Sequence, residues 1–149
     1  MNTYLTFVIL TYAFLSLRLY CGRPDRCDEL GGNEVEVNMN GQHGVRCCTE
    51  DSAVGWPNEC NDITGVYGES SVPNCYSSST FTEAVAICAA YSGGRLCSRD
   101  EILDNCTKGT GCSLDSALVW GCIANNKAET CVSNAECCSG NCNVGTCTA

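Results

Sequence analysis

Sixteen cysteines in 149 residues constrain this chain more than any other feature. At more than a tenth of the residues, cysteine serves as a crosslinking framework, and such a framework persists only in an oxidising compartment. The N-terminus agrees. Tyr4 to Leu17, YLTFVILTYAFLSL, is an uncharged apolar run of signal-peptide length, short of the ~20 residues that span a bilayer. The expected leader is residues 1–22, cut near Cys21 or Gly22, with the product secreted, extracellular and without a membrane span after cleavage. The stretch SLRLYCGRPD holds no small-x-small cleavage site, and Tyr20 stands where a bacterial lipobox needs a small residue. A cut after Cys21 leaves an odd number of cysteines. One thiol then stays free or links two chains as a disulfide-bonded dimer, unless Cys21 is retained.

Charge and residue types exclude several functions. The formal charge is -9, with acidic residues spread along the chain and no cluster of Lys or Arg to neutralise phosphates, so nucleic acid is not an expected partner. The single histidine, His43, sits in a Gly-rich turn and reads as a solvent-exposed loop residue, so no Ser-His-Asp, Cys-His or histidine-based zinc site can be assembled. The absence of C-x-x-C argues against thioredoxin chemistry and zinc ribbons. The carboxylate pairs Glu50–Asp51 and Asp100–Glu101 are sequence neighbours, which do not converge across a cleft. The sequence predicts no catalytic residue, no metal and no cofactor.

Local signals place the elements. Val35 to Met39 alternates as a short strand does. In STFTEAVAICAAYSGG, Thr80 and Glu83 form a capping box, Phe81, Ala84, Cys88 and Tyr91 fall on one helical face, and Gly93 with Gly94 occupies the C-cap region. Arg95 to Cys97 reads as a strand. Ser98 and Glu101 then open a second helix, with Ile102, Leu103 and Cys106 on its buried side, and SALVWGC reads as a buried strand. Between Pro57 and Ser79 the composition is rich in Gly, Ser, Asn and Asp, which predicts a long surface loop pinned by Cys60 and Cys75. Asn105-Cys106-Thr107 is the one N-x-Thr sequon, which makes Asn105 a glycosylation candidate.

The run TFTEAVAICAAYSGGRLCSRDEIL, followed by ALVWGC, resembles the first half of a C-type-lectin-like domain. Phe81, Ala84, Cys88, Gly93, Gly94, Leu96, Ser98, Glu101, Trp120 and Gly121 hold that family's helix, Gly-pair, strand, second-helix and Trp-Ile-Gly positions. RLCSRDE also echoes a strand-to-helix step of the formylglycine-generating-enzyme fold. VRCC, GRLC-x-x-x-E and GTGC-x-x-D-x-x-LVW together resemble an uncharacterised cysteine-rich domain of secreted proteins of marine algae, over Val45 to Trp120. The lectin family's calcium and sugar loop has no counterpart after Trp120. WPNECND, at Trp56 to Asp62, lies on the wrong side of both helices for one.

The tail cysteines follow C-x8-C-x5-CC-x3-C-x4-C, which resembles an inhibitor cystine knot. That resemblance implies the pairs Cys122–Cys138, Cys131–Cys142 and Cys137–Cys147. A hevein-like CCS core is also present, but its loops, SGN and NVGT, lack the aromatics that stack on sugars.

The fold class is thus small disulfide-rich α+β, with a C-type-lectin-like helix-strand-helix-strand core and a knottin-like tail. The expected divisions are 1–22 leader, 23–121 cysteine-rich domain and 122–149 tail. Cys122 borders both modules. In the main domain Cys27, Cys47, Cys48, Cys60, Cys75, Cys88, Cys97, Cys106 and Cys112 are disulfide candidates of open pairing. The function expected is non-enzymatic binding of an extracellular glycan or protein through loop aromatics, Trp56, Tyr67 and Tyr76. A knottin-type effector that inhibits a protease or channel, and a crosslinked extracellular coat component, are the alternatives.

Overall fold

The computed structural model describes residues 17–24, 26, 27, 34–37, 40–124 and 130–149. In chain order the elements are β1 (Leu17–Cys21), β2 (Glu34–Val37), β3 (Cys47–Thr49), β4 (Asn58–Glu59), β5 (Tyr67–Glu69), α1 (Phe81–Ala89), β6 (Arg95–Leu96), α2 (Arg99–Leu103), β7 (Leu118–Gly121), β8 (Cys142–Asn143) and β9 (Thr146–Cys147). The protein is of the small, disulfide-rich α+β kind, and none of the described helices is long and apolar enough to cross a membrane.

Both predicted capping boxes form. Thr80 Oγ1 accepts from the Glu83 amide and Glu83 answers on the Thr80 amide at 2.8 Å, which starts α1. Ser98 and Glu101 do the same for α2, with Glu101 Oε2 at 2.7 Å from the Ser98 amide. Helix α1 buries Phe81, Ala84 and Cys88, three of the four residues of the predicted stripe, while Tyr91 falls beyond the helix and is half-buried. The helix stops at Ala89, ahead of the glycines. The chain then turns through Tyr91, and Gly94 is required because a Cβ there would lie 2.1 Å from the Cys88 carbonyl oxygen.

Three antiparallel sheets organise the chain: β2-β1-β7, β4-β5-β3-β6, and the tail ribbon β8-β9. The segment from Pro57 to Ser79 is more than the surface loop predicted. It supplies β4 and β5, with Tyr67 paired to both Thr49 and Glu59. These strands are two and three residues long and their partners are distant in sequence, so alternation within the segment does not reveal them.

Side-chain alternation along β1 and β7 separates two cores. Leu17, Leu19 and Trp120 face one, with Phe81, Ala84, Cys88 and Leu96; Tyr20 and Val119 face the other, with Val66, Ile102 and Leu114. Trp120 is fully buried, its indole N–H donates to the Ser79 carbonyl at 2.7 Å, and Phe81 meets it edge-on. Burying a ring of that size contributes on the order of 5 kcal/mol of transfer free energy. His43 also packs edge-on against Trp120, with ring centroids 4.9 Å apart, and its backbone pairs with Ser79. It is half-buried rather than the open loop residue expected, and burial lowers its pKa.

Strand β1 conflicts with the leader boundary expected at residue 22. Leu17, Leu19, Tyr20 and Cys21 are all buried, and β1 is the central strand of its sheet. At about 2 kcal/mol per buried side chain, the four together are comparable with the whole net stability of a domain, about 5–15 kcal/mol. The boundary at 22 would also take from Cys27 its disulfide partner, Cys21.

All sixteen cysteines are paired within the chain. In the main domain Cys47, Cys48, Cys60 and Cys75 bond, in that order, to Cys88, Cys97, Cys106 and Cys112. These bridges span 37 to 49 residues, and in the chain-entropy account closing a loop of that size stabilises by on the order of 4 kcal/mol. The two predicted anchors of the 57–79 segment, Cys60 and Cys75, are thereby tied to one glycine-rich stretch, Cys106 to Cys112. The tail pairs Cys122 with Cys138, Cys131 with Cys142 and Cys137 with Cys147, the connectivity that the cystine-knot resemblance implies. Cys122 serves both modules: its sulfur belongs to the tail, while its amide donates to the Cys97 carbonyl and its side chain lies in the first core. No sulfur is left for a link to a second chain.

Candidate functional site

The turn after α1, strand β6 and the tail enclose an open groove of about 790 Å³. Its walls carry Glu50, Asp51, Ser92, Arg95 and Glu101 from the main domain, with Ala124 and Ser139 on the tail side. The volume falls within the range of small-molecule sites, about 300–1,000 Å³.

At the base of the groove Arg95 forks onto Glu101. Nη1 donates to Oε2 at 2.8 Å and Nη2 to Oε1 at 2.6 Å, and Nη2 also reaches Glu50 at 3.2 Å. Burial opposes the charge on Arg95, but the hydrogen bonds and charges of Glu101 and Glu50 outweigh it and raise its pKa. Glu101 is buried and spends both oxygens on Arg95 and on the Ser98 amide, which commits it to structure. The carboxylate of Glu50 is 74% exposed, so it is the one able to change partner. Asp51 beside it caps a 3₁₀ turn, Ser52–Val54; bonds from Ser92 and from the Ala53 amide hold its carboxyl below the usual range.

An aromatic pair lies next to this wall in the sequence. Trp56 packs against Tyr91 with centroids 5.2 Å apart and planes tilted by 56°, and Tyr91 directly precedes the wall residue Ser92. Both rings are half-buried. None of the three predicted contact aromatics lines the groove, and Trp56 packs against the first core as well as on Tyr91. Tyr76 lies against the first core, and Tyr67 sits on β5. Among the described residues no ring contact joins Trp56, Tyr67 and Tyr76 into one platform. Tyr91 carries a helical-periodicity signal that marks it only as part of a buried face; Arg95 carries none.

A second polar cluster lies deeper. Arg46 is fully buried and donates to the Gly22 carbonyl, to Thr107 Oγ1 at 3.1 Å and to Asp115 Oδ1 at 2.7 Å. Burial pulls the Arg46 pKa down, against the pull of Asp115. For Asp115, burial pushes the carboxyl up, but Arg46 prevails and holds it below its ordinary value. The sequon falls against this cluster: Cys106 is bonded to Cys60, Thr107 is buried on Arg46, and Asn105 is half-buried at φ 60°.

Among the described residues, three groups of side chains come close enough to share an ion: Cys131, Cys137 and Cys147; Cys48, Cys97 and Glu101; and Cys60, Asp104 and Cys106. Every cysteine in them is disulfide-bonded, and a metal needs the thiolate.

No protein-family model matches the sequence, and no curated protein or solved structure matches it either. The lectin-like and knot-like features therefore rest on the motifs themselves.

Proposed function

We propose that the chain is a secreted, non-enzymatic binding module that takes an extracellular glycan or protein segment at the groove beside Trp56 and Tyr91. The observation that supports this reading is a groove whose wall holds Asp51, Ser92 and the exposed Glu50, with Tyr91, which packs on Trp56, directly preceding Ser92 in the chain. Aromatic faces take the apolar side of a sugar ring, while carboxylates and hydroxyls accept from and donate to its hydroxyls. The test is a glycan array probed with the full chain and with Trp56→Ala. Binding by the parent that falls at least about tenfold in the variant, a loss of about 1.4 kcal/mol, supports the reading; a blank array removes the glycan.

One feature favours a second reading, a tail that blocks a protease or channel. Val144, 98% exposed, stands at the tip of the β8-β9 hairpin between strands held by Cys142 and Cys147. Its φ of 48° is a left-handed conformation that a β-branched residue adopts at a cost, so an apolar side chain is displayed there despite local preference. Protease inhibition by the full chain, lost in Val144→Asn, would move the proposal to the tail. The coat alternative loses its chemical handle, because it depended on an odd thiol.

A further inference from the structure

We infer that the cut releasing the leader falls at or ahead of the Ser16–Leu17 bond, so that the mature chain keeps β1. This rests on the secreted reading above and adds to it a processing site. In that step water adds across one peptide bond, leaving a carboxylate on the departing leader and an α-amino group on the mature chain.

Three independent features of β1 and the residue after it require their retention. First, β1 pairs on both sides, Leu19 lying opposite Val35 in β2 and Trp120 in β7. A chain cut at 22 would expose the edge of β7 and open both cores, since Leu17 and Leu19 fill one and Tyr20 the other. Secondly, β7 is shaped to this strand: a Cβ on Gly121 would lie 2.0 Å from the Tyr20 ring, so only glycine fits beneath it. Thirdly, the polar bonds on Gly22 presuppose a continuous chain. Its amide donates to Ala117 at 2.9 Å, and its carbonyl takes a bond from the buried Arg46. Were Gly22 the new N-terminus, its ammonium would sit where that single amide bond to Ala117 now lies.

Cysteine parity points the same way. A cut after Cys21 removes one sulfur of the Cys21–Cys27 pair and strands the other, whereas a cut ahead of Leu17 keeps all sixteen in eight bonds. The sequence accommodates the earlier position. Tyr4 to Leu15 is still an uncharged apolar run within the roughly 7–15 residues of a signal h-region, and Ser16 is a small residue directly ahead of the Leu17 bond.

The full chain, expressed in a secretory host, tests this by N-terminal sequencing of the exported product together with maleimide labelling before reduction. The expected result is a first residue no later than Leu17 and no labelled thiol. A product that begins anywhere past Leu17 overturns the inference while leaving secretion intact, and one that begins at Gly22 would in addition label Cys27. A chain that stays membrane-bound with its leader attached overturns this inference and the secreted reading together.

Discussion

Replacing Arg46 with Met isolates the work of the buried guanidinium, because Met keeps the length and apolar packing of the stem. The side chain is fully buried and makes three hydrogen bonds, to Gly22, Thr107 and Asp115. Two bonds to neutral acceptors at about 1 kcal/mol each, and a charge-assisted one at about 2, come to about 4 kcal/mol. Against this, the variant no longer buries an ion whose Nε has no hydrogen-bond partner, which returns about 1 kcal/mol. The expected net loss is about 3 kcal/mol. With disulfides intact and a guanidinium slope of about 3 kcal/mol per molar, the unfolding midpoint falls by about 1 M. The pH dependence has a definite sign. Asp115 has its pKa lowered in the fold, so its contribution is fully present above the unfolded carboxyl value of about 3.9 and is lost as pH falls through the folded one. The gap between parent and variant should therefore be constant near neutrality and narrow below about pH 4. A gap under about 0.5 kcal/mol, or one that does not change between about pH 6 and about pH 2.5, would refute the assignment of the pair as a buried, charge-dependent tie.

Other substitutions report on features elsewhere. Val144→Asn places a residue that tolerates left-handed φ at the hairpin tip and is expected to stabilise the protein by about 1 kcal/mol, read as a higher unfolding midpoint. Gly121→Ala drives a methyl group into the Tyr20 ring and should cost about 3 kcal/mol, read as a lower unfolding midpoint; an unchanged midpoint would contradict the close approach. Glu101→Gln removes the fork on Arg95 while leaving Glu50, with an expected loss of about 2 kcal/mol and faster amide exchange at the start of α2.

Features that act over a few residues were legible in the sequence. The two capping boxes are four-residue signals, and both form where Thr80, Glu83, Ser98 and Glu101 predict them. Strand β1 was concealed because its apolar residues follow directly on the apolar run expected to be a leader, with Arg18 alone between them. The strands at 58–59 and 67–69 were concealed because their partners are remote. Burial of Arg46 depends on Gly22, Thr107 and Asp115 converging from three distant places, and a lone Arg before two cysteines carries no such signal. The groove has the same character: residues near 50, 92, 101 and 139 meet only after folding, and Trp56, the aromatic picked out by the sequence that packs on Tyr91, does not line it.

The order of the four main-domain bridges governs what a protease can do to this chain. Every bond between Cys75 and Cys88 is spanned by all four, because each joins a cysteine before that stretch to one after it. Ser77 and Ser78 are exposed there, ahead of α1. A single cut at Ser77–Ser78 would thus yield two polypeptides that remain one molecule and migrate as one until a reductant is added. The backbone can be severed at that surface loop while its two halves stay in place.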